Sequence, residues 1–156
     1  MRQASKMTFA ARPGFPAFIV GSVALADLAV GRALLWADEA RVYLAGRALD
    51  AQCAFRSATG LPCPTCGVTR SVVMSLHGEF ARAWSMAPAG PVAVLGLLAF
   101  ALAMLALAFI QWAGAEDRTA WVRLWIRRGA LAYGTAATIV WLAGWVVHFE
   151  AALRAR

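Results

Sequence analysis

The chain is poor in charge. Only 15% of its 156 residues are Asp, Glu, Lys or Arg, against about 25% in an ordinary soluble domain. That scarcity argues against a water-soluble globular fold. Lysine is nearly absent: fourteen of the fifteen basic residues are arginine, and most flank apolar blocks. A clustered basic face for nucleic acid would look different, so no nucleic-acid partner is expected. There are two histidines and three cysteines, with one Cys-x-x-Cys spacing and no second. No Ser/His/Asp set, no HExxH and no P-loop accompany them, which leaves the thiols without an acid–base constellation.

What is abundant is apolar surface. Hydrophobic residues make up 62% of the chain, and the mean hydropathy is +0.64. They gather in three blocks, residues 15–36, 91–112 and 126–149. Each has the roughly 20 residues a helix needs to cross a hydrocarbon core about 30 Å thick. Trp36, Trp112, Trp125 and Trp145 lie near the block ends, where indole rings favour the headgroup level. The fold class expected is an all-α integral membrane protein, one domain over 1–156. It would have about three transmembrane helices and one or two short interfacial helices, with the lipid bilayer as its first partner. Residues 2–26 also carry the basic start, apolar run and Ala24-Leu25-Ala26 of a cleavable leader. The apolar run continues to Trp36, however, which favours an uncleaved anchor.

Basic residues near the span ends set orientation. Arg2, Lys6 and Arg12, with Arg118, Arg123, Arg127 and Arg128, equal in number those on the other side, Arg41, Arg47, Arg56, Arg70, Arg82, Arg154 and Arg156. The first set is denser at the span ends. The expected arrangement is a cytoplasmic amino terminus in a bacterial inner membrane, with the 37–90 connection on the outer side. Small residues at four-residue spacing, Ala130, Gly134 and Thr138 in the third span and Ala99 and Ala103 in the second, fit close helix packing or oligomerisation. Asp27 is the acid deep in a span; the expectation for it is a polar contact inside the bundle.

All three cysteines, Cys53, Cys63 and Cys66, fall in the 37–90 connection. Ala40 to Leu49 reads as a short helix on the membrane surface. Gly60, Pro62, Pro64 and Gly67 shape the cysteine stretch as a structured loop. After it, Val68, Val72, Leu76, Phe80, Ala83 and Trp84 recur at helical spacing, so loop and amphipathic helix together occupy 50–86. Three chemistries compete for the loop. Two thiols at a helix start can act in redox, because the helix dipole favours thiolate. Three cysteines can supply three ligands of a tetrahedral zinc, with His148 as the fourth, since His77 lies about 16 Å from Cys66 along a continuous helix. Or the thiols clasp the loop structurally.

The run Cys53, Thr59-Gly60, Cys63-Pro64-Thr65-Cys66-Gly67-Val68-Thr69-Arg70 and Gly78-Glu79 resembles a family of small bacterial membrane proteins, domain of unknown function 2752. The resemblance spans about residues 50–100. Ala54, Glu79 and Ala87-Pro88 stand where that family usually has Pro, Asp and Asn-Pro. It implies a membrane location and no established reaction. The reading is therefore a non-catalytic membrane subunit or scaffold with a cysteine-clasped outer loop, associating with other membrane proteins or with itself. The alternatives are a thiol–disulfide protein using Cys63 and Cys66, or a zinc protein. Arg70, one turn past Cys66, would serve a thiolate, a carboxylate such as Glu150, or a lipid phosphate.

Overall fold

The computed structural model describes residues 14–38, 40–49, 53–59, 63, 65, 67–114 and 116–154. Three helices are long and apolar enough to cross a membrane: α1 (Phe15–Leu34), and two more that follow the cysteine region. Between them lie three short strands, β1 (Leu35–Ala37), β2 (Val42–Leu44) and β3 (Arg47–Leu49), and three short helices, α2 (Ala54–Thr59), α3 (Val68–Leu76) and α4 (Phe80–Met86). The chain closes with α5 (Ala89–Trp112) and α6 (Glu116–Arg154). Helix dominates, as the hydropathy pattern requires, and the sheet is a minor addition.

The sheet corrects the surface helix expected over Ala40–Leu49. Two turn devices override helix there. Asp38 Oδ1 accepts the N–H groups of Ala40 at 2.7 Å and Arg41 at 2.6 Å, and Asp38 N–H donates to Arg41 O at 3.0 Å. An aspartate that satisfies the backbone two and three residues on reverses the chain. Ala45 and Gly46 then take φ values of 48° and 81°, positive at both positions as a two-residue hairpin turn demands. Val42 pairs with Leu49 and Leu44 with Arg47 across that turn, and Leu35 pairs with Leu44 on the other side.

The single amphipathic helix expected through Trp84 is also corrected, into α3 and α4. Gly78 has φ 82°. Its N–H donates to Ser75 O at 3.0 Å, and Glu79 N–H donates to Met74 O at 3.0 Å. That bonding pattern with a left-handed glycine ends a helix. The hairpin it makes buries Val73, Met74 and Ala83 with Ala37 and Val42 of the sheet. Of the apolar stripe read from the sequence Ala83 belongs to this buried face, whereas Phe80 and Trp84 are exposed.

In the membrane region α1 and α6 each pack along α5. Gly21 lets α1 approach closely: a Cβ there would lie 2.9 Å from the Ala101 carbonyl oxygen. Gly96 does the same for α6, because its place is filled by the Tyr133 ring, whose hydroxyl donates to Val92 O. The small-residue positions expected to serve packing are different ones. Ala99, Ala130 and Thr138 are exposed, and Gly134 has no atom within 4 Å of a would-be Cβ.

Candidate functional site

The cysteine motif sits where α3 begins, against the α4–α5 junction. Gly67 caps α3 with φ 85°, and a Cβ there would come within 3.3 Å of Met86 Cγ. Glycine is therefore required twice, by backbone sign and by space. Just ahead, the Cys63 sulfur lies 3.0 Å from Thr65 Oγ1 and accepts the Thr65 N–H at 3.3 Å. Val68 N–H then donates to Thr65 O at 3.2 Å. The Thr65 backbone N–H thus donates to the sulfur, with the Thr65 hydroxyl within hydrogen-bond distance of the same atom. Cys53 is a half-buried free thiol at the start of α2. Gly60 and Cys66 lie outside the described residues, so the pairing of Cys66 is not placed.

Below this turn a buried hydroxyl holds the hairpin together. Ser71 is fully buried, with Oγ 2.8 Å from Ala83 O and 2.6 Å from Ala87 O. A hydroxyl has one hydrogen, so its donation is shared between these carbonyls at the end of α4. Ser75, also buried, donates to Ser71 O at 2.7 Å. Gly90, on the first turn of α5, leaves the room Ser71 occupies. The serines carry little signal in sequence, where they read as the polar side of an amphipathic helix. Their spacing to Ala83 and Gly90 has meaning only after the chain folds back.

The other end of α3 rests on α1. Arg32 donates to Leu76 O at 2.9 Å, and its Nη1 is 3.4 Å from His77 Nδ1. His77 Nε2 is 2.8 Å from Leu35 O. A carbonyl only accepts and a guanidinium only donates, so His77 is the tautomer protonated on Nε2. Both ring nitrogens are thereby engaged. Arg32 also meets the negative end of the α3 dipole, a favourable place for a cation.

Several sequence candidates separate from this centre. Asp27 is exposed on α1 and, among the described residues, has no hydrogen bond or ion pair. This corrects the expected contact inside the bundle. Thr69 is exposed and Arg70 is half-buried on the first turns of α3. Glu150 lies 3.5 Å from Arg154 on its own helix. Glu79, where the resembled family has Asp, makes no cap to α4 and pairs with Arg82 at 2.7 Å. The side chain of His148 lies outside the described ones, but its helix position is fixed: Gly144 lies against Pro88, one turn before it. The α6 segment holding His148 therefore reaches the same end of the molecule as the motif. Among the described residues no three His, Cys, Asp or Glu side chains gather as a metal site.

Residues 53–101 match the family model described as a protein of unknown function, DUF2752. This match supports the resemblance read from the motif. The DUF2752 segment takes in α2, α3, α4 and the first half of α5. It therefore holds the Gly67 cap, the Ser71 bonds and the Gly90 contact, and excludes Arg32 and the sheet. Neither the curated proteins nor the solved structures gave a match.

Proposed function

We propose that this chain is a non-catalytic membrane subunit or scaffold whose DUF2752 segment is a rigid cap, clasped by its cysteine loop. The observation that supports this most is the use of the polar groups around the motif. Ser71, Arg32 and His77 bond to backbone carbonyls of other elements, and Ser75 bonds to Ser71 O within α3. Groups arranged to act on a substrate would converge on an open space; these converge on helix ends. We place the protein in a bacterial inner membrane, amino terminus cytoplasmic and the cap on the outer side, on the density of arginine at the span ends.

The test is to replace Cys53, Cys63 and Cys66 by Ser, singly and together, and follow abundance and thermal unfolding in membranes. A clasp predicts lower melting temperatures for the Cys63 and Cys66 variants. A triple variant as stable as the parent would rule the clasp out.

A second reading has its own support. The Cys63 sulfur accepts the Thr65 N–H and lies against the Thr65 hydroxyl, a polar setting for a sulfur that would bind zinc or attack a disulfide as its thiolate. Cys63, Cys66 and Cys53, with His148 as the fourth, would hold the metal. Metal analysis of the purified protein, with thiol titration before and after a chelator, separates the two. Stoichiometric zinc lost in the Cys63→Ser variant would displace the scaffold reading.

A further inference from the structure

Two opposite charges stand on exposed helix surfaces of this chain, and neither has a partner among the described residues. Val23, Asp27, Val30 and Leu34 follow one another at steps of four, three and four residues, and all are exposed. That spacing makes one stripe of α1. Arg127, Leu131, Gly134 and Thr138 repeat the same steps on α6 and are likewise exposed; Arg128, beside Arg127, is exposed too. Neither arginine has a hydrogen bond or ion pair among the described residues. A charge left in hydrocarbon is costly, and membrane carboxylates and guanidinia accordingly pair.

The two charges also lie at related depths. Gly21 meets Ala101 and Leu105 of α5. Asp27 is six residues further, about 9 Å along α1. Because α5 runs back antiparallel, that level falls near residues 95–99, where Gly96 meets Tyr133. Arg127 and Arg128 precede Tyr133 by six and five residues, about 9 and 8 Å along α6. The Asp27 side chain tilts toward the amino-terminal end of α1, the side on which the arginines lie, and the long arginine stem closes the rest of the offset. Within one chain they do not meet, because α1 and α6 pack on α5 and not along each other.

We propose that a second copy of this chain covers these stripes, with α1 of each copy against α6 of the other, so that Asp27 pairs with Arg127 or Arg128 across the interface. The two helices run in the same direction, since each is antiparallel to α5. A two-fold axis along the membrane normal therefore forms both contacts at once, an isologous closed dimer. Gly134, open on the α6 stripe, gives the facing helix room for backbone approach. The obvious rival, α1 against α1, sets Asp27 against Asp27 and meets like charge. This proposal rests on the subunit reading and names the occupant of that subunit's membrane face.

The experiment uses the full chain in lipid vesicles, with donor and acceptor dyes at the carboxyl terminus. Energy transfer is followed as lipid dilutes the protein. Asp27→Asn should weaken self-association by about tenfold, the size expected of a polar contact between helices. Asp27→Lys alone, or Arg127→Asp with Arg128→Asp, should weaken it at least as much. The chain carrying all three substitutions should recover transfer. Circular dichroism checks that each variant keeps its helix content. A wild type that is monomeric at every dilution, an unaffected Asp27→Asn, or a folded triple variant without recovery would overturn the proposal. The cysteine-to-serine series reads the clasp independently of all three outcomes, so the failure of either idea is recognisable.

Discussion

At the scale of single residues, Ser71 and Asp38 do the most for their surroundings. Ser71→Ala removes the only hydrogen shared by Ala83 O and Ala87 O from the buried hydroxyl. Ala83 O and Ala87 O keep the N–H groups of Ala87 and Gly90, so the loss should cost about 0.5–1.5 kcal/mol, measured as a fall in the unfolding midpoint in detergent; an unchanged midpoint would contradict a structural role for this hydroxyl. Asp38 is different because it is solvated. The N–H groups of Arg41 and then Ala40 hold its carboxyl below the ordinary carboxylate range. A value depressed in the folded state contributes stability that is complete above the unfolded value, about 3.9. That contribution is lost as pH falls through the lower folded value. Tyr43 responds at the other extreme, since its hydrogen bond to Asp38 raises its value. Its contribution is present below about pH 10 and goes as pH rises through the folded value. Amide exchange at Ala40 and Arg41 should therefore accelerate below about pH 4 in the parent. In Asp38→Asn it should show no such acid step.

At the scale of elements, the glycines of the hairpin separate strain from space. Gly78 has φ 82° and nothing within 4 Å of a would-be Cβ. Gly78→Ala should cost only the left-handed conformation, about 1–2 kcal/mol. Gly90 is an ordinary helical glycine whose Cβ would run into Ser71 backbone and side chain. Gly90→Ala should cost more than Gly78→Ala, because backbone must move apart. Equal losses in the two variants, read by thermal melts, would contradict the packing described at Ser71. Arg32 joins α1 to the end of α3. Arg32→Ala should lower the melting temperature, whereas Arg32→Lys, which keeps the charge at the helix end, should restore part of the loss.

At the scale of the whole molecule, α5 alone carries the chain about 36 Å from Ala89 to Trp112. That is enough to put the cap and the Gly114 turn on opposite faces of a bilayer. A reporter fused after Gly114 should read cytoplasm, and one at Thr59 the outer side. Both reporters on one side would contradict the span count. The three spans were legible in the chain because length and hydropathy suffice to state that a helix crosses lipid, with no knowledge of its neighbours. The resemblance that the family match over residues 53–101 supports was legible too, because Cys-Pro-Thr-Cys-Gly-Val-Thr-Arg is a local string. What hydropathy could not supply was anything set by partners distant in sequence. The 40–49 segment became strands because Asp38 and Ala45-Gly46 turn the chain and β1 supplies a pairing edge. Ser71 became a core residue because Gly78 folds α4 back onto it. Asp27 faces out because Gly21, six residues away and about 240° round the helix, is the residue pressed against α5. Local composition fixes whether a segment enters the membrane. Only the tertiary packing of α1, α3 and α6 around α5 fixes which side chains are enclosed and which charges are left to seek a partner outside.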